Sequence, residues 1–474
     1  AGTILGVALF LRLYRIDQVV PELFGKELEV SLVNSITIPS FVSHASLYLL
    51  GMSEFAVRLP GVIVGVLTVA LMYYLANEIN QRLMVRKDSF FPLFAMGVLS
   101  VLPWHIQISR SDLGVSLGLF FFILMVFPLC WFKQNKWMIV VWVLPAAAAF
   151  HADIVFLMPV ILAVGFISFY HSSYIRKYWI QTVLSVALLA AFMMPFFRSP
   201  QILLRPDDQL TYQLIENTKL SQERVSYSMN TSLSKVLYLP IIENSKLFLS
   251  NTFSYFQPHS LFFSWDKDQY MNPNFGLFYP VDLLFILLGL AFLKKKKTFF
   301  TVSLIYILAI VLYAAFLHGS SQSTWLMPVL PLAVILSSLG FFRIFELRAR
   351  NKFVFAFVVL IASFCMVRFL GIYYIVENKE TLIGEYEEAF VYLAKNKGSI
   401  PVVVVDSTYG KNLSLYSRFF REGPNDKEFI YSVNNYCQDG RMHIMPTYLI
   451  PKGAQIYYIS QAQDEKMNIG IARL

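Results

Sequence analysis

Apolar residues run along this chain in blocks, with polar and charged segments between them. Runs near 1–14, 58–79, 90–104, 113–132, 137–150, 153–171, 178–197, 277–294, 299–317, 324–343 and 353–375 read as membrane-spanning helices by length and lack of charge. The pattern predicts about eleven spans. After residue 376 it changes. Helical periodicity appears in "ETLIGEYEEAFVYLAKNKG", a short apolar strand in "PVVVVD" (401–406), a helix through 411–420 and a strand in "QIYYIS". The expected architecture is an α-helical polytopic membrane protein, with a transmembrane domain over residues 1–376 and a small α/β domain over 377–474.

Charge gives the spans a direction. Arg82, Arg86 and Lys87, then Lys133 and Lys136, then Arg176 and Lys177, then Lys294 to Lys297, then Arg343, Arg348, Arg350 and Lys352 fall in every second connection. By the positive-inside rule these loops are cytoplasmic. The other connections, 15–57, 105–112, 151–152, 198–276 and 318–323, and the tail after 376 are then expected outside. All the long polar material falls on that one side.

Composition agrees with a membrane protein. Of 474 residues, 57% are hydrophobic, 16% aromatic and only 15% charged, too apolar for a soluble protein to cover its surface. The net charge of +9 sits in short clusters between spans and not on one soluble face, which argues against a nucleic-acid partner. Cys130, Cys365 and Cys437 are far apart, so no C-x-x-C metal or redox motif exists. Residue 1 is not Met and the first apolar run is short for a span, so the natural N-terminus is expected upstream.

Several outer segments carry a likeness. "LRLYRIDQVVPELFGKELEVSLVNSI", "HASLYLLGMSEFAVRLPGVIVGVLTVALMYYLA", "SVLPWHIQISRSDLGVSLGLFFFIL", "NTFSYFQPHSLFFSWD", "NFGLFYPVDLLFILLGL" and "MPVLPLAVILSSLGF" occur in this order over the first 345 residues. Together they resemble the polytopic GT-C glycosyltransferases, the group of the protein O-mannosyltransferases and the lipid A aminoarabinose transferase. The resemblance implies transfer of a sugar from a polyprenyl-phosphate carrier to a glycan, lipid or protein acceptor at the outer face of the plasma (inner) membrane, with inversion at the anomeric carbon. It also implies an extracytoplasmic active site and C-terminal domain.

In that family the first outer loop usually holds an Asp-Glu pair, the Asp being catalytic. Here the matching positions are Lys26 and Glu27. Glu27 is therefore the candidate base, with Glu29 and Glu22 as fallbacks. Lys26 either holds Glu27 ionised or faces the carrier phosphate. Arg58, matching a family arginine, could grip that phosphate with two parallel hydrogen bonds. His44 matches a family His-Pro-Pro site without its prolines and is carried over as a cavity residue. Arg110 and Asp112, in a short outer loop, are candidates for an ion pair lining the cavity. His105, His151 and Asp153 stand at outer ends of spans, where ionisable groups suggest function. The arginine that relatives place near the tenth span is absent from "STWLMPVLP". The basic, aromatic-rich 198–276 loop reads either as a lid or as a solvated loop with interfacial anchors.

Alternatives stand beside each of these. "GKELE" also fits an amphipathic interfacial helix whose charges face water. Arg58 also fits a helix-end arginine reaching lipid headgroups. No spacing of ligands calls for a metal, and no cofactor is expected beyond the lipid-linked sugar itself. The Lys at 26 also feeds a second function, a lapsed GT-C scaffold that binds a lipid carrier or partner without turnover. A transporter would need repeat symmetry and broken mid-membrane spans, and neither is evident. The orientation is open to a direct check. In a chain without its three natural cysteines, Ser232→Cys should react with a membrane-impermeant maleimide added outside, and Lys296→Cys should react only after permeabilisation.

Overall fold

The computed structural model describes residues 1–16, 37–51, 53–83, 90–131, 137–170, 177–198, 219, 240–264, 274–318, 323–348 and 351–376, and the strands within 402–473. Two compact units divide the chain, one of residues 1–14 with 61–370 and one of 15–60 with 371–474.

The larger unit is helical. Its elements are α1 (Gly2–Leu13), most of α3 (Glu54–Leu83), α4 (Phe91–Val101), α5 (Pro103–Ser111), α6 (Leu113–Trp131), α7 (Val143–Ala152), α8 (Leu157–Tyr170), α9 (Trp179–Arg198), α10 (Pro240–Ser254), α11 (Pro280–Leu293), α12 (Lys297–His318), α13 (Leu330–Leu347) and α14 (Lys352–Gly371); α2 (Ile38–Leu50) belongs to the smaller unit. Among the described residues, four helical stretches are long and apolar enough to cross a membrane: Glu54–Gln81, Lys297–Phe316, Ser323–Glu346 and Lys352–Tyr374. A fifth crossing is available if α4 and α5, bent by 56°, count as one broken span. With the shorter apolar helices this makes an integral membrane protein.

Helices meet through small residues, as expected where lipid supplies no hydrophobic drive between them. α11 and α13 pack extensively against each other. At Gly289 an added Cβ would run into the Leu336 carbonyl, and at Gly340 into the Phe285 carbonyl. A buried carboxylate locks the same pair: Asp282 accepts from Tyr279 N–H at 3.1 Å and from the Ser337 hydroxyl at 2.6 Å. Aromatic rings fill the space beside it, with Phe285 edge-on to Phe341 at 5.4 Å and Phe341 edge-on to Phe94 of α4 at 4.9 Å.

Two sequence expectations change here. The apolar run 90–104 was expected as a single span followed by an outer loop over 105–112, but residues 103–111 form α5. The cause is Pro103, which holds Leu102 in extended geometry (φ −66°, ψ 125°), ends α4 and starts a new helix at its N1 position. The outer connection 15–57 likewise contains α2, which Thr37 caps by accepting from Ser40 N–H at 3.3 Å.

In the smaller unit, α2 docks on the start of α3 through an unusual bond. Pro60 lies inside α3 and cannot donate to the Ala56 carbonyl one turn back. The Ser46 hydroxyl of α2 takes that carbonyl at 2.5 Å. The tail of this unit forms a five-stranded sheet in the order β2-β1-β3-β5-β4, from β1 (Val402–Val404), β2 (Phe429–Tyr431), β3 (Met442–Pro446), β4 (Gln455–Ile459) and β5 (Ile469–Arg473). β1 runs parallel to β2 and β3, and β5 antiparallel to β3 and β4. β1 lies in the "PVVVVD" run and β4 in "QIYYIS". The helices expected in 380–398 and 411–420 lie outside the described residues.

The α11–α13 contact gives a stability prediction. Gly340→Ala should force the pair apart and cost about 1–3 kcal/mol, read as a lowered thermal midpoint in detergent. Ser338→Ala, which removes only a hydroxyl bonded to Val334 O within its own helix, should move the midpoint little.

Candidate active site

The Pro103 break leaves carbonyls of α4 without helical donors, since Pro103 has no N–H to give Leu99. Arg12, fully buried near the end of α1, supplies them. Its Nη1 donates to Ser100 O at 3.1 Å and to Ala8 O at 2.9 Å, and its Nη2 reaches Leu99 O at 3.5 Å. The Tyr279 hydroxyl donates to Val101 O at 2.7 Å. The same guanidinium then crosses the break to α5, with Nη2 2.6 Å from His105 Nδ1 and Nε donating to the Ser109 hydroxyl at 3.1 Å. A guanidinium can only donate, so Nδ1 is the acceptor and His105 carries its hydrogen on Nε2.

α3 closes over this network because its backbone can approach. A Cβ at Gly61 would stand 2.8 Å from Ser109 O, and one at Gly65 would stand 2.6 Å from Ser109 Cβ and 3.2 Å from Arg12 Nε. This is the small-xxx-small spacing of close helix crossings.

At the far end of α5 stand the two residues expected as an ion pair. Arg110 is buried, with Nη1 3.4 Å from Leu11 O of α1. Asp112 is also buried and caps α6, accepting from Val115 N–H at 3.0 Å, where a carboxylate is also favoured by the helix dipole. Asp153 repeats the device at the end of α7, accepting from Val155 N–H at 3.1 Å. The two carboxylates face one place: Asp112 Oδ1 and Asp153 Oδ2 lie 3.3 and 3.6 Å from the point where a Cβ on Gly114 would stand. Beside Asp153, the Tyr313 hydroxyl donates to Ile154 O at 3.1 Å and its ring meets Trp325 edge-on at 5.7 Å. His151 serves as a tie, its Nε2–H donating to Phe192 O at 2.8 Å.

The smaller unit holds the other candidates. Glu27 and Lys26, with Glu22 and Glu29, lie outside the described residues; their flanks do not. On the near flank, Arg58 is buried, donates from Nη1 to Ile16 O at 3.0 Å and has Glu54 3.7 Å away one turn back on α3. On the far flank, Thr37 is fixed as the cap of α2. His44 sits on α2, half-buried, its Nδ1 donating to Ser40 O at 2.7 Å. Arg15 holds the unit's other end of chain, donating to Tyr374 O at 3.2 Å. Ile16, whose carbonyl Arg58 takes, and Thr37, the cap of α2, both belong to the smaller unit.

Among the described residues no group of three or more His, Cys, Asp or Glu is placed to hold a metal ion. The sequence reading missed Arg12, Ser109 and Tyr313. Arg12 carried a usable signal: a guanidinium in an apolar run needs partners.

No protein-family model and no curated relative matches the chain by sequence. By structure it is similar to the archaeal oligosaccharyltransferase AglB from Archaeoglobus fulgidus in complex with an inhibitory peptide and a dolichol-phosphate, with a TM-score of 0.50 and 15% identity over 88% of this chain. The chain spans only 63% of that protein's length. It is also similar to ArnT from Cupriavidus metallidurans, in the apo state (TM-score 0.50, 12% identity, 100% of this chain and 96% of that one) and bound to undecaprenyl phosphate (TM-score 0.51, 12% identity, 99% and 96%). The chain therefore shares the fold of AglB and ArnT.

The Arg12 network carries its own prediction. Arg12→Met should leave the Leu99 and Ser100 carbonyls and His105 Nδ1 short of donors, at about 1–3 kcal/mol for each group left unsatisfied. Lower yield and a lower thermal midpoint in detergent are the expected readouts. Arg12→Lys, with three donors in place of five, should restore only part of the loss.

Proposed function

We propose that the chain is a glycosyltransferase that moves a sugar from a polyprenyl-phosphate carrier to an envelope or protein acceptor at the outer face of the inner membrane. The single observation that carries this is the likeness to ArnT over nearly all of both chains. That structure was solved with undecaprenyl phosphate and the AglB structure with a dolichol-phosphate, which supports a lipid phosphate as the carrier here. The order of the outer segments and the side on which the charge pattern puts them support the same reading.

In the proposed step an acceptor hydroxyl loses its proton to the Glu27 carboxylate as its oxygen bonds to the anomeric carbon. The bond from that carbon to the phosphate oxygen breaks, its electron pair leaves with the polyprenyl phosphate, and the anomeric configuration inverts. Lys26 supplies positive charge for the departing phosphate. Arg58 adds to that charge and fixes the near end of the loop through Ile16 O. His44, Arg110 and Asp112 are assigned as substrate-binding residues. Eleven spans, a transmembrane domain over 1–376, a cytoplasmic face defined by the basic loops, and an outer α/β domain over 377–474 that recognises the acceptor complete the proposal.

A second reading keeps one observation in its favour. The position where the family places its catalytic Asp is Lys26, so a scaffold that binds carrier without turnover is the alternative. One assay divides them: release of polyprenyl phosphate from a sugar-charged carrier, with envelope acceptor supplied. Glu27→Gln should lower release by about 10²–10⁴-fold at unchanged thermal midpoint, and unchanged release would remove Glu27 from the step. Carrier binding without release across a panel of sugars, with activity appearing in Lys26→Asp, would establish the scaffold.

A further inference from the structure

One end of the larger unit gathers positive charge from three separate parts of the chain. α11 ends in the turn Lys294 to Lys296 and α12 begins at Lys297, all four side chains exposed. α13 brings Arg343 to the same place, its guanidinium 4.1 Å above the Phe292 ring at the end of α11. Arg348 follows, exposed, over the ring of Phe345, and Phe345 meets Phe355 at 5.8 Å, which brings the start of α14 and exposed Lys352 alongside. Among the described residues of these segments the acid is Glu346, already 2.6 Å from Arg343.

Helix dipoles sharpen the imbalance. Lysines suit the C-terminus of α11, but α12 and α14 both begin in this cluster, and neither has an acid in its first turn. Two positive helix ends therefore lie among like-charged side chains, an arrangement that an anion would relieve. The faces that continue from these ends are apolar and open, with Ile305 58% exposed on α12 and Phe353 89%, Phe357 63% and Leu360 67% exposed on α14. A ligand with a negative head and hydrocarbon tails matches both parts.

We propose that this cluster is a binding site for an anionic phospholipid, whose phosphodiester sits on the Lys294 to Lys297 turn and whose acyl chains lie along α12 and α14. The site is separate from the proposed glycosyl transfer and does not depend on it.

The experiment uses the full chain in detergent micelles, with thermal midpoint and native mass spectrometry as readouts. Added phosphatidylglycerol should raise the midpoint and stay bound, less so as salt is raised. Phosphatidylcholine and inorganic phosphate should do neither. Lys295→Gln/Lys296→Gln/Lys297→Gln should weaken the phosphatidylglycerol response by about tenfold or more, while the same three changed to Arg should keep it. Lys133→Gln/Lys136→Gln, in another basic loop, should leave it intact. Equal stabilisation by phosphatidylcholine or by phosphate in the wild type overturns the proposal without any variant. An unchanged response in the triple Gln variant, or an equal loss in the Lys133/Lys136 control, also overturns it.

Discussion

The larger unit depends on one buried guanidinium. Pro103 breaks a helix inside an apolar environment, and the exposed carbonyls of that break need donors that lipid cannot give. Arg12 meets the need from α1, joins α4 to α5 across the break, and in turn fixes how closely α3 lies against Ser109. Burying a charge is costly unless it is held by acceptors on several sides, and here three elements supply them. The bend then sets the direction of α5, and with it the place of Arg110 and Asp112 at the next junction.

A similar economy appears where backbone is interrupted elsewhere. Pro60 frees a carbonyl and Ser46 takes it; Asp112 and Asp153 each end one helix and open the next turn by capping it. These polar residues hold helix ends in an apolar setting, and two of them, Asp112 and Asp153, also bring carboxylates to one spot. Capping is a structural function, yet the Asp112 Oδ1 that accepts from Val115 N–H is also the oxygen that faces the Gly114 spot. Position in the fold and chemistry are thus not exclusive at these aspartates.

Much of the helical framework was legible in the sequence because spanning segments are written in composition and length, and both survive any detail of packing. The runs at 178–197, 299–317 and 353–375 match α9, α12 and α14 to within a few residues. The run 90–104 failed at its end because hydropathy does not register a proline's effect on the residue before it. α2 was hidden because "IPSFVSHASLYLL" sits in a segment assigned as loop by its neighbours' charges. The candidate site was legible only as residue types. Arg58 suggested a phosphate ligand, and the geometry gives it at least one other task, holding Ile16 O. Arg12 drew no notice because a single arginine in a short apolar run looks like a flank.

The partners of Arg12 lie far along the chain. Ser100 is 88 residues away and Ser109 is 97. During synthesis α1 is made before α4 and α5, so its guanidinium reaches the membrane before either serine exists. Until the bent pair arrives, α1 has no low-energy depth in lipid, and it waits at the interface or against the insertion machinery. The order of translation therefore leaves α1 unsettled until α4 and α5 are made, and the bend at Pro103 becomes the event that completes its insertion.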